Sequence, residues 1–157
     1  MCPETRHQLY LPSEDATDRL GGVLAEHLRP GDTILLTGPI GAGKSHLSRA
    51  IIRARLGRME DVPSPTFTLV QTYEDASGDI WHADLYRLSH PDEVLELGLE
   101  EAMATAICLI EWPDRLGSHL PPDAIVIALS PQQEGRRAQI VFTGRPELAK
   151  ALHDPAR

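Results

Sequence analysis

Asparagine is absent from the chain, lysine occurs only as Lys44 and Lys150, and no apolar run approaches the roughly 20 residues a bilayer-spanning helix needs. The first shortage removes the Asn-Lys-x-Asp element by which GTP-dependent switch proteins usually select guanine. The second singles out Lys44, because every other fixed positive side chain is arginine. The third, together with a start (Met1 to His7) that lacks the apolar stretch of a secretory signal, predicts a cytoplasmic address away from any membrane. Cysteine is scarce as well. Cys2 and Cys108 are too few for a disulfide framework and lack metal-ligand spacing, so both are expected to be reduced, with Cys108 a core residue. A net charge of −8 excludes a broad basic surface that would hold nucleic acid by phosphate neutralisation.

What remains describes an ordinary globular domain. At 157 residues, 41% hydrophobic and 24% charged, the chain suits one core, and residues 1–157 are read as one domain without repeats or low-complexity arms. Ser13 caps a helix carrying Leu20, Val23, Leu24 and Leu28 at helical spacing, ended by Arg29-Pro30-Gly31-Asp32. Thr33 to Thr37 reads as a strand, and Leu47, Ala50, Ile51 and Ala54 as one face of a helix ending near Gly57. Thr66 to Tyr73 and Ile80 to Tyr86 predict an antiparallel hairpin, and Ser89 and Pro91 open an acidic helix. Ala106 to Ile110, apolar without alternation, predicts a strand buried on both faces. Strands at Ala124 to Leu129 and Arg136 to Thr143 precede a short C-terminal helix. The fold class is α/β, with parallel pairing at the centre and antiparallel strands toward the edges.

Between the predicted strand and helix lies Gly38-Pro39-Ile40-Gly41-Ala42-Gly43-Lys44-Ser45, which satisfies G-x-x-x-x-G-K-[ST] at every fixed position. Glycines let successive backbone N–H groups turn against anionic oxygens, and the helix that follows adds the partial positive charge of its N-terminus. Lys44 can reach the β and γ phosphates of a nucleotide, and the Ser45 hydroxyl can give Mg²⁺ one oxygen. Pro39 has no N–H but sits before the expected donors. The bland alternative, a glycine-rich turn without a ligand, lacks an explanation for the flanking strand and helix.

A Mg-nucleotide site also needs an acidic group at the end of a neighbouring strand. Glu111 ends the run Ile107 to Ile110, where a charge suits the sheet rim beside a cation. His82 and Asp84 alternate on one strand face, with Asp84 read as a second carboxylate and His82 as its neighbour, a satisfied core histidine rather than a ligand. Pro63-Ser64-Pro65-Thr66 is a stiff segment that presents two hydroxyls, fitting either an ordinary turn or a switch sensing γ-phosphate.

Gly-Ala-Gly-Lys-Ser at 41–45, Ser-Pro-Thr-Phe-Thr-Leu-Val at 64–70, His-Ala-Asp-Leu-Tyr-Arg-Leu at 82–88 and Ile-Glu-Trp-Pro at 110–113, in this order, resemble the TsaE family over about Glu14 to Arg136. The resemblance implies a single P-loop domain whose central parallel sheet is flanked by antiparallel strands. It also implies an ATPase required for threonylcarbamoyladenosine modification of tRNA. Such a protein works with TsaD and TsaB, reaches tRNA only through them, and turns over weakly alone. It assigns Lys44, Asp84 and Thr66 to catalysis and Ser45, Glu111 and Asp84 to Mg²⁺. Gly41, Ala42, Gly43, Lys44, Ser45, His46, Glu14, Arg136 and Trp112 would meet ATP. This chain departs from many relatives at Ser45-His46, where they have Thr-Thr, and at Pro39, where they have an acidic residue. Two other readings use the same loop: a small-molecule or nucleoside kinase, for which the acidic stretch from Pro91 to Ala106 offers no arginine lid, and an ATP-binding adaptor with negligible turnover.

Overall fold

In chain order the elements are β1 Glu4–Leu11, α1 Glu14–His27, β2 Thr33–Thr37, α2 Lys44–Leu56, β3 Val70–Asp75, β4 Gly78–Asp84, α3 Glu93–Leu97, α4 Leu99–Thr105, β5 Ile107–Glu111, a 3₁₀ segment Pro113–His119, β6 Ile125–Gln132, β7 Gly135–Thr143 and α5 Pro146–Leu152. They come from a computed structural model that describes residues 4–152; Cys2 lies outside the described residues. The strands form one sheet in the order β1-β7-β6-β2-β5-β4-β3. Pairing is parallel for β6-β2, β2-β5 and β5-β4, and antiparallel for β1-β7, β7-β6 and β4-β3. The α/β class and the placement of parallel pairing at the centre are as the sequence pattern implies.

Alternation along the strands divides the core. Ile34, Leu36, Ile107, Leu109 and Ile127 face α1 and α2, meeting Leu24, Leu47, Ile51 and Ile52. The opposite side chains, Leu35, Cys108 and Ile110, pack with Val94, Leu99, Ala102 and Leu116 from α3, α4 and the 3₁₀ segment. A strand between two helical layers needs apolar side chains on both faces, and β5 is buried at every position. Burial also pushes the Cys108 thiol up to about 12, which keeps it an inert core group.

Local signals explain most boundaries. The Ser13 side chain accepts the Ala16 N–H at 3.2 Å and caps α1, a contact worth about 1 kcal/mol. Four sequence expectations need correction. The strand β1 is one that the sequence pattern does not announce, since its inner face carries only Leu9 and Leu11 as apolar residues; it is an edge strand paired to β7 from Glu4↔Thr143 to Leu11↔Arg136. The acidic helix expected after Pro91 is two short helices, since Gly98 takes φ 78° and ends α3. The strand expected from Thr66 begins only at Val70, because the Leu69 N–H returns to the Pro65 carbonyl at 2.8 Å and closes a turn over 65–69. The strand expected through Tyr86 ends at Asp84, whose Oδ1 accepts the Tyr86 N–H at 3.1 Å.

Candidate functional site

The four parallel strands β6, β2, β5 and β4 end on the same rim, the place where open α/β sheets bind ligands. The loop after β2 carries the phosphate-binding pattern and runs into α2, whose first-turn N–H groups have no intrahelical acceptors. Gly43 precedes α2 at φ 105°, and a Cβ there would stand 2.7 Å from the Arg136 guanidinium carbon. The backbone conformation there favours glycine, and a larger residue would also displace the arginine tip laid against it. Arg136 in turn donates to Thr17 Oγ1 at 3.1 Å, which fixes β7 to α1 beside the loop.

Register sets the carboxylates. Asp84 pairs with Glu111 across β4 and β5, so the two side chains emerge together on the α2 face. The Ser45 hydroxyl donates to Glu111 Oε1 at 2.9 Å. Thr66, brought back by the turn over 65–69, donates from Oγ1 to Asp84 Oδ2 at 3.2 Å and lies 3.0 Å from the Ser64 hydroxyl. Lys44 is buried, donating to the carbonyl of Pro39 at 2.9 Å and to that of Gly38, with its ammonium 4.1 Å from the centre of the Trp112 ring. Burial lowers the Lys44 pKa from its usual 10.5, while Glu111, Asp84 and Asp114 pull it the other way. Trp112 holds its place over Lys44 with a left-handed backbone at φ 59° and packs on Tyr86 at 4.9 Å.

These groups line one open cleft of about 420 Å³. Gly41, Gly43, Lys44, Ser45 and His46 form its phosphate-loop side, Thr66, Asp84 and Glu111 the opposite wall, and Trp112 and Arg136 complete it. Ala42 is buried, and Glu14 lies outside the cleft, lining a neighbouring depression with Asp18 and His46. The His46 ring is hydrogen-bonded to Asp18 at 2.8 Å. Ser64, Tyr86 and Arg87 also face the cleft; Tyr86 and Arg87 sit in the 82–88 motif but were not singled out, since sequence alone gave them no distinct chemistry. His82 is the buried core residue that the sequence implies, beside Asp84 on β4, and its Nε2 meets Glu111 Oε2 at 2.6 Å.

The Ser45 hydroxyl, Glu111 and Asp84 are an all-oxygen donor set with two negative charges, which suits Mg²⁺ better than a transition metal. The buried carboxyl groups of Glu111 and Asp84 face one buried ammonium, Lys44, an acidic excess that would favour a cation in this corner of the cleft.

The family model described as Threonylcarbamoyl adenosine biosynthesis protein TsaE matches residues 11–139. The chain belongs to the TsaE family. The matched span runs from the last residue of β1 into β7 and contains every cleft residue named above. Among relatives, the tRNA threonylcarbamoyladenosine biosynthesis protein TsaE of Rickettsia felis is 40% identical over 139 residues, covering 88% of this chain and 81% of that protein. The protein of the same name from Haemophilus influenzae is 34% identical over 138 residues, covering 84% of this chain and 87% of that one. The crystal structure of Bacillus subtilis YdiB matches with a TM-score of 0.74 and 23% identity over 98% of this chain and 96% of that one, a likeness of fold. No helix among the described residues is long and apolar enough to cross a membrane.

Proposed function

We propose that this TsaE-family chain is a Mg²⁺-dependent ATP hydrolase that serves threonylcarbamoyladenosine modification of tRNA by acting with TsaD and TsaB. The observation that carries the reading is the convergence in one cleft of Lys44 and Ser45 from the phosphate loop with Thr66, Asp84 and Glu111 from three other segments. Family membership supplies the pathway, and the names of the relatives supply tRNA as the molecule modified.

On this reading the N–H groups at the start of α2 receive the phosphates, and Lys44 exchanges its two carbonyl partners for β and γ oxygens. Ser45, Glu111 and Asp84 would hold Mg²⁺, which when bound neutralises charge on the β and γ phosphates. Asp84 also orients the attacking water, and Thr66, hydrogen-bonded to it, lies where a γ-phosphate would be sensed. Trp112 and Arg136 flank the nucleotide, with His46 beside the α-phosphate and Glu14 at the outer edge. Turnover is low for the chain alone and rises when partners order the cleft. The net charge of −8 leaves tRNA to the partners.

The test is steady-state ATP hydrolysis by the purified chain, alone and with its cognate TsaB and TsaD, with Lys44→Ala as control. Stimulation that disappears in the variant supports the proposal. Equal rates with and without partners, and no dependence on Lys44, overturn it.

A further inference from the structure

His82 is almost completely buried on β4, and its ring has Glu111 as its only hydrogen-bond partner among the described residues. Glu111 sits on the neighbouring strand, two residues beyond Leu109, the residue paired with His82. The contact is thus the diagonal one between two side chains on the same sheet face, with the histidine deeper in the sheet and the carboxylate at the rim. Glu111 is held at both oxygens: Oε1 accepts from Ser45 at 2.9 Å and Oε2 faces His82 Nε2 at 2.6 Å. A carboxylate that is to ligate a cation is ionised and only accepts, so in the binding-competent form Nε2 carries the hydrogen. The other ring nitrogen, Nδ1, is buried without a partner. A bare lone pair there costs less than a buried N–H would, which points to the same tautomer.

We propose that His82 is a positioning residue for the divalent cation that accompanies the nucleotide: Nε2–H pins Glu111 Oε2, which fixes the carboxylate plane and keeps Oε1 beside Ser45. This rests on the Mg-nucleotide reading above. A carboxylate at a sheet rim has torsional freedom about its terminal bonds, and a donor on the far oxygen removes it before the cation arrives. A core histidine without this role would need only to fill space and satisfy itself, and leaving Nδ1 unsatisfied is a poor way to do so. The arrangement gains meaning if the bond to Glu111 is what the site requires.

Glutamine and asparagine separate the two roles by reach. The amide nitrogen of His82→Gln can stand near the place of Nε2, whereas that of His82→Asn stands nearer Nδ1 and falls short of Glu111. Binding of a fluorescent ATP analogue would be followed against Mn²⁺ concentration for the wild type, both variants and Lys44→Ala, with metal-free nucleotide binding and thermal melting run alongside. Loss of a hydrogen bond behind a metal ligand typically costs about 10- to 100-fold in metal affinity. The expected result is a half-saturating Mn²⁺ concentration raised about tenfold or more by His82→Asn and restored to within about threefold by His82→Gln, with metal-free binding unchanged. Equal shifts in both variants, no shift in either, or a parallel loss of metal-free binding would overturn the positioning role. Metal-independent binding in the wild type would instead remove the Mg-nucleotide reading and His82's role with it. In the wild type, two- and three-bond ¹H–¹⁵N correlations should show the hydrogen on Nε2; a ring protonated on Nδ1 alone would contradict the proposal.

Discussion

The Ser45 hydroxyl lies 2.9 Å from Glu111 Oε1, joining the first turn of α2 to the last residue of β5 across 66 positions of sequence. Glu111 is buried and Ser45 half-buried, and together they bring two of the oxygens a hard cation needs side by side. Glu111→Gln keeps the shape and removes the charge. Its expected effect is a fall in Mg²⁺-dependent hydrolysis of about tenfold or more, with a melting temperature near the wild-type value. Hydrolysis measured across a Mg²⁺ series checks this, and identical curves for the two proteins would contradict the assignment.

Lys44 should behave differently. Its ammonium is already desolvated and bonded to two loop carbonyls, so truncation removes a phosphate contact without opening the core. Lys44→Ala is expected to cut ATP hydrolysis by about a hundredfold, the order seen when one preorganised donor to a developing charge is lost. Circular dichroism and melting should stay close to wild type, which separates a site defect from misfolding.

Away from the cleft, Arg55 binds three elements at once. It donates to Asp75 Oδ2 at 2.7 Å, to the carbonyls of Ala25 and Leu28 at 2.9 Å each, and to Ser77 at 2.7 Å. These bonds tie the end of α1 to the β3-β4 hairpin through α2. Burial raises the Asp75 pKa, but hydrogen bonds from Ser77 and the Arg55 guanidinium outweigh it and hold the carboxyl below its usual 3.8. A lowered carboxyl pKa stabilises the folded state fully above the unfolded value and loses that contribution as pH falls through the folded one. Asp75→Asn should therefore cost about 2 kcal/mol near pH 7 and show a smaller further loss on acidification below pH 4 than the wild type. Urea unfolding at several pH values reads both effects.

The opposite sign holds at His119, set between Asp92 at 3.1 Å and Glu100 at 3.2 Å. The hydrogen bond to Asp92 raises its pKa above 6.5; burial opposes this, and Glu100 and the charge of Asp92 add to it. The tie of the 3₁₀ segment to α3 and α4 is complete below the unfolded pKa and is lost as pH rises through the folded one. Amide exchange over residues 113–119, corrected for its intrinsic pH dependence, should lose protection as pH rises through the folded His119 value. His119→Gln should abolish that pH dependence.

The sequence made the phosphate loop, the two carboxylates and the central strands legible because each is a local pattern: glycine spacing, an unbroken apolar run, a charge at its end. What escaped was relational. Residues 65–69 fold back on themselves, and only their contact with β4 shows that Thr66 faces Asp84. The pairing of His82 with Glu111 depends on strand register between segments 29 residues apart, which side-chain alternation within one strand does not reveal. Strand β1 turns only Leu9 and Leu11 toward the core, too short an apolar alternation to read as a strand, and its pairing with β7 places it at the sheet edge. The acidic helix expected after Pro91 is divided at Gly98, whose φ of 78° ends α3 before α4 begins.

Gly43 offers the sharpest check on the loop. Both Gly41 and Gly43 have positive φ, 83° and 105°, so alanine strains the backbone at either position by about 1–2 kcal/mol. They differ in surroundings: a Cβ on Gly41 meets nothing within 4 Å, whereas one on Gly43 collides with the Arg136 guanidinium at 2.7 Å. The atoms met are the tip of the flexible Arg136 side chain, whose shift would come at the expense of its bond to Thr17 and of its place in the cleft. Gly43→Ala should thus weaken ATP-analogue binding about tenfold more than Gly41→Ala, a difference of roughly 1.4 kcal/mol. In the Arg136→Ala background the guanidinium is gone and the collision with it. The two glycine variants should then converge in affinity, and a persisting gap would mean that Gly43 is required by its own backbone contacts with the phosphates rather than by the arginine.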